Sequence, residues 1–190
     1  MIFSDEKKIN LDGPDGIFSY WRDLRKEQRY FSSRNFGGGS LMVWGAFSQN
    51  GLVQVAFPST RMKSQEYTGL LENHLLPFWQ ENHRADWIFQ QDNASVHKSR
   101  ATMAWFMEHN IKIMDWPACS PDQNPIENLW GLIVRAVYAD NKQYGTVEEL
   151  KRAVSSAWNE IQESTRRSLV ESMPNRLFEL IENKGGPTHY

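Results

Sequence analysis

Two segments in the first third of the chain are almost wholly apolar: 41–48, LMVWGAFS, and 52–57, LVQVAF. Both are too short for stable helices and rich in β-branched and aromatic residues, so both read as strands. Gln49–Asn50–Gly51 joins them and carries an Asn-Gly hairpin signal. A short apolar start, MIF, runs straight into Ser4–Asp5 and reads as a further strand. Residues 64–80 have helical spacing instead, with Tyr67, Leu70, Leu71, Leu75 and Phe78 apolar and Ser64 as N-cap. Pro77 is expected to kink that helix or end it early. Residues 86–91 suit a strand, 98–109 a helix and 111–115 another strand, before a Pro-rich loop at 116–124. A helix then starts at Pro125, with Asn124 as N-cap and Ile126, Leu129, Trp130, Ile133, Val134 and Val137 apolar. Thr146 and Glu149 form a capping box for the next helix, and 165–183 fits two short ones. Strands first, then strand and helix alternating, then helices: this order predicts an α/β fold with a mixed sheet and helices on both faces.

That arrangement sets three carboxylates in suggestive places. Asp5 and Asp92 are expected at the C-terminal ends of strands, where ligand sites of open α/β sheets form. Glu127, 34 residues beyond Asp92, falls in the first turn of a helix and can lean over the same edge. Glu6 follows Asp5 directly, and strand alternation points it to the other face. Carboxylate oxygens suit Mg²⁺ or Mn²⁺. Two such ions about 3.5–4 Å apart stabilise both the attacking and the leaving oxygen of an in-line displacement at phosphorus. Asp5 or Asp92 is the natural bridge between them. Asn93 and His97 lie beside the central acid in FQQDNASVH, and His97 could touch phosphate or orient a water. Position alone is a weak argument, since these are three of 23 acids; the local contexts are what raise it.

Composition narrows the picture further. A chain of 190 residues fits one domain, and a 40% hydrophobic content supports a real core. Its net charge of −2 rules out a polybasic nucleic-acid binder, so any DNA contact needs a local patch, bound metal or another domain. One such patch is 22–34, where Arg22, Arg25, Lys26, Arg29 and Arg34 are candidate phosphate contacts and a solvated charged hairpin is an equal alternative. The single cysteine, Cys119, excludes an internal disulfide and a Cys-based zinc cluster. No apolar run approaches the roughly 20 residues of a membrane span.

IFSDE, GGGSLMVWGAFS, FQQDNASVH and DWPACSPDQNPIENLW occur in that order, and together they resemble the catalytic domain of the mariner superfamily of cut-and-paste DNA transposases. The 34-residue gap ending in Glu resembles the Tc branch. The resemblance implies a ribonuclease-H-like, five-stranded mixed sheet flanked by helices, with a core over 1–140 and a helical extension over 141–190 of one catalytic domain. It implies Asp5, Asp92 and Glu127 as the catalytic and metal-binding triad, with two Mg²⁺ or Mn²⁺ per site. It further implies hydrolysis at transposon ends, attack of the freed 3′-hydroxyl on a TA step, a homodimer in the full-length complex, and action in the nucleus; Arg166–Arg167 is too short to be a nuclear signal. No membrane or small-molecule substrate is expected. Paired helix-turn-helix modules that bind terminal repeats are expected upstream of this region. Within the loop, Trp116, Pro117, Pro121 and Pro125 are read as fixing the approach of Glu127 rather than as touching DNA. Two alternatives stand beside this reading: a host-recruited or inactive derivative that binds DNA or protein, and a nuclease on the same fold.

Overall fold

The computed structural model describes residues 1–14, 39–82, 87–117 and 120–190. Cys119 and the basic stretch 22–34 lie outside the described residues. Four strands form one sheet: β1 (Ile2–Asn10), β2 (Ser40–Ser48), β3 (Gly51–Ala56) and β4 (Phe89–Gln90). Their order is β3-β2-β1-β4, antiparallel across the first three and parallel between β1 and β4. Helices follow: α1 (Ser64–Leu70), a π-helical turn (Leu71–Leu75), α2 (Leu76–Asn82), α3 (Arg100–Glu108), α4 (Ile126–Val137), α5 (Val147–Asn159), α6 (Glu163–Glu171) and α7 (Met173–Glu182).

Side-chain alternation divides the core into two layers, one on each face of the sheet. Phe3, Ile9, Val43 and Phe47 pack against α4 and α5 through Leu129, Trp130, Ile133, Val154 and Trp158. Ile2, Trp44, Ala46 and Val53 face the other way, against Tyr67, Leu71, Leu75, Trp79 and Phe106 of the helices α1 to α3 and the turn between them. Burial on this scale is the main stabilising force, at about 25 cal/mol per Å² of apolar surface.

The expected elements are present, with local corrections. Four strands are described where five were expected. Residues 111–115 contribute only a parallel bridge, Ile113 to Phe89. The strand read at 86–91 shrinks to two residues because Gln91 leaves the ladder; its side chain accepts from the Tyr67 hydroxyl (2.7 Å) and donates to the His97 carbonyl (3.3 Å). The hairpin turn is Gln49–Asn50, with Gly51 already paired to Ser48, so Gly51 is not a turn residue. Lys63, not Ser64, is the N-cap of α1. Pro77 does not stop the helix, which continues to Asn82. The wider π-helical turn just before it relieves the clash between the proline ring and the carbonyl four residues back. Pro125 occupies the N-cap position of α4, with Asn124 one residue earlier, its Oδ1 accepting from the Ile126 amide at 3.4 Å. The Thr146 hydroxyl accepts from the Glu149 amide (3.2 Å) as a capping box requires, while the Glu149 carboxylate reaches back to the Gly145 amide (3.1 Å).

Candidate active site

Asp5 lies in the middle of β1, not at its end as expected. What ends beside it is β4. Ile2 pairs with Phe89 and Phe3 with Gln90. Asp92 follows two residues after the end of β4, and it lines the same cavity as Asp5. Asp5 shares the α4 face of the sheet, and Trp130 Nε1 donates to its Oδ2 at 3.1 Å. Burial, and then the charges of Glu127 and Glu6, raise the Asp5 carboxyl from 3.8 to about 7, despite hydrogen bonds from the Glu6 backbone and Trp130 that pull the other way. Opposite Asp5 in β2 stands Gly45. A Cβ there would meet Trp158 Cη2 at 2.7 Å and Trp130 Cη2 at 2.9 Å. Glycine at this position lets the two tryptophans, tilted by 35° with centroids 5.5 Å apart, lie close enough to the sheet for Trp130 to reach the acid.

Asp92 begins a tight turn, its Oδ1 accepting from the Ala94 amide (2.8 Å) and contacting His97 Nδ1 (2.5 Å). The other ring nitrogen, Nε2, meets Glu6 Oε1 at 3.1 Å. Glu6 does point to the opposite face from Asp5, and there it meets this buried histidine, which packs on the Tyr67 ring with centroids 4.4 Å apart. Burial pushes His97 down, but its hydrogen bonds to Asp92 and Glu6, with their charges, outweigh this and raise it to about 9. The hydrogen bond from His97 in turn holds Asp92 below its ordinary value. A protonated His97 therefore ties β1 to the Asp92 turn at neutral pH. Both its ring nitrogens are engaged within the protein, and only 3% of its side chain is exposed.

Glu127 occupies the first turn of α4 and pairs with Lys7 Nζ at 3.5 Å, both side chains being well exposed. Lys7 is two residues beyond Asp5, on the same face of β1, so strand alternation could have found it. The segment leading to Glu127 is anchored to β1 by Asn124, whose Nδ2 donates to the Ser4 carbonyl at 3.1 Å. Asn93 Nδ2 donates to the Trp116 carbonyl at 2.7 Å, holding the Pro-rich loop against the Asp92 turn.

Asp5, Asp92 and Glu127 line one cavity of about 290 Å³, with Asn93, Trp116 and Pro121 also in its wall. Among the described residues no three His, Cys, Asp or Glu side chains already stand in metal-holding geometry. Asp92 is turned to His97 and Glu127 to Lys7. Among the described residues the donor set nonetheless fits a hard divalent cation: three carboxylates, no sulfur or free imidazole, and one acid raised to about 7 by burial among its like-charged neighbours. Sequence reasoning missed Trp130, Gly45, Glu6 and Lys7 as the supports of this site. Their roles depend on pairs far apart in the chain.

A ribonuclease-H-like α/β fold with acids from β1, the β4 end and α4 around one cavity defines a class of nucleic-acid-processing domain. The sequence profile of the DDE superfamily endonucleases matches residues 1–151. The Tc3 transposase of Caenorhabditis elegans is 52% identical over 190 residues, covering all of this chain and 58% of its own length. The Tcb1 transposase of Caenorhabditis briggsae is 35% identical over 198 residues, covering all of this chain and 70% of its own length. The Mos1 mariner paired-end complex with Mn superposes with a TM-score of 0.81 at 20% identity, over 99% of this chain and 56% of that one. The isolated catalytic domain of Mos1 mariner transposase gives 0.73 at 19% identity, over 99% and 83%. The chain belongs to the DDE superfamily endonucleases, within the mariner/Tc1 transposase group. It spans under two thirds of the length of the Tc3 relative.

Proposed function

We propose that this chain is the catalytic domain of a Tc-type cut-and-paste transposase. It hydrolyses phosphodiesters at transposon ends and joins the freed 3′-hydroxyl to a TA target step. The observation that carries this reading is the convergence of Asp5, Asp92 and Glu127, from three separate elements, on one cavity. Membership of the endonuclease family and the 52% identity to a transposase support it. Two divalent cations, Mg²⁺ or Mn²⁺, are the proposed cofactors, and bound there they would supply charge stabilisation at the attacking and leaving oxygens. The Mos1 complexes with transposon-end DNA, and with Mg and Mn, support DNA and metal as partners. Homodimerisation in the full-length protein and action in the nucleus belong to the same proposal.

The chain's own residues prepare the site. Trp130 orients the Asp5 carboxylate, and His97 with the Ala94 amide fixes that of Asp92. Glu127 completes the set by leaving Lys7. That exposed ion pair is worth under about 1 kcal/mol, so the exchange is cheap. Asp92→Asn tests the reading in the full-length protein: the size is kept, the charge is lost, and strand cleavage in Mg²⁺ or Mn²⁺ should disappear with the fold intact. Full cleavage by that variant would remove Asp92 from the mechanism.

A further inference from the structure

Arg176 is a charged side chain only 1% exposed, on α7, well past the last residue matched to the endonuclease family. Burying a guanidinium is costly unless its donors are satisfied, and the partners it has found are informative. Nη1 donates to the Asp122 carbonyl (2.7 Å) and Nη2 to Asn128 Oδ1 (2.7 Å), while Nε donates to Oγ of Ser172 (3.0 Å), the N-cap of its own helix. The first two lie on either side of Glu127: Asp122 in the short 3₁₀ turn Pro121–Gln123, Asn128 immediately after the acid. The tail adds a second contact to the same turn, with the Thr188 amide (3.2 Å) and hydroxyl (2.9 Å) both donating to Asp122 Oδ2. The Tyr190 ring covers the guanidinium, its centroid 4.3 Å from Arg176 Cζ. On the far side, Asn124 carries the restraint to Ser4, the neighbour of Asp5.

We propose that Arg176 is a positioning residue for Glu127: a latch from the C-terminal helix that spans residues 122–128 and fixes where that carboxylate stands relative to Asp5. The planar fork of arginine suits this task because two rigidly spaced donors define the distance between their two acceptors. The inference rests on the metal-binding role proposed for the acids, and it assigns α7 and the tail to the active site rather than to a separable appendage.

The test uses this chain with Arg176→Gln, Arg176→Lys and Asn128→Ala. The last removes one acceptor from the partly exposed end of α4 and keeps the test alive if the buried substitution prevents folding. Two readouts are taken well below each melting temperature: hydrogen exchange of the 123–128 amides, and Mn²⁺ affinity from the paramagnetic resonance of the free ion. Outer supports of metal ligands typically contribute about 10–100-fold in affinity. Arg176→Gln should therefore weaken Mn²⁺ by at least about tenfold and speed exchange at 123–128, with β2 amides unchanged. Asn128→Ala should do the same to a smaller degree, and Arg176→Lys should recover part of both losses. A lower melting temperature with Mn²⁺ affinity within twofold of wild type would make Arg176 a packing residue and overturn the proposal. So would weaker Mn²⁺ binding with exchange at 123–128 unchanged. If the wild-type chain binds no Mn²⁺, the metal reading of the acids is what fails, and the exchange measurement alone then decides whether Arg176 holds the Glu127 turn.

Discussion

Asp5 shows how a single carboxylate can be both costly and useful. Its proton is held up to about 7 by burial first, then by Glu127 and Glu6. The folded protein therefore binds that proton more tightly than the unfolded chain, whose Asp titrates near 3.8. Below that value the group is protonated in both states and contributes nothing. As pH rises from about 4 to 7 the unfolded chain ionises first, so metal-free stability falls, and above 7 the penalty is complete. The gap corresponds to at most about 4 kcal/mol. Asp5→Asn keeps an oxygen for Trp130 and removes the penalty. The metal-free variant should melt higher than wild type at pH 8 and alike at pH 4, as calorimetry would register; equal melting at both would mean that Asp5 ionises freely in the fold. Glu127→Asp probes reach instead of charge. Shortening by one methylene, on the order of 1 Å, should lower the cleavage rate of the full-length protein about 100-fold.

At the scale of elements, the close approach of α4 and α5 to β2 decides whether Asp5 is oriented. Trp130 and Trp158 are fully buried, so neither ring can move aside for a Cβ at position 45. Gly45→Ala should destabilise the domain by about 1–3 kcal/mol through overpacking. It should also lift Trp130 off the Asp5 carboxylate, and Trp fluorescence together with chemical denaturation would report both effects. The π-helical turn before Pro77 shows the opposite accommodation. There the backbone widens instead of the side chain shrinking, which is why a proline that would break a regular α-helix sits inside a continuous helical stretch.

Across the whole molecule, charge is nearly balanced at −2, and the known cavity is lined by acids. This chain alone should bind duplex DNA weakly and without sequence preference, with an affinity that falls steeply as salt rises because phosphate contacts dominate. Divalent cation should strengthen binding by covering the three carboxylates. Fluorescence anisotropy with a terminal-repeat duplex and a scrambled one would check this; tight, selective binding of the repeat by these 190 residues would be incompatible with it.

Hydrophobic period and turn chemistry, which are local, were enough to mark the β2–β3 hairpin, the helices from α1 to α7 and the place of Glu127 in the first turn of α4. The same periodicity placed Glu6 on the opposite face from Asp5. Periodicity does not encode partners, and the differences follow from that. The strand at 111–115 is a single bridge to Phe89, and β4 stops at Gln90, after which the Gln91 side chain bonds Tyr67 and His97, 24 and 6 residues away. Tertiary structure alone decided that Asp5 sits mid-strand beside the end of β4, that His97 joins Asp92 to Glu6 across the chain, and that Arg176 reaches back to the Glu127 turn. Each of these depends on the parallel β1–β4 register and on helix packing over the sheet. A hydrogen bond across 48 to 125 residues, such as Arg176 to Asn128 or Trp130 to Asp5, leaves no mark in the pattern around either partner.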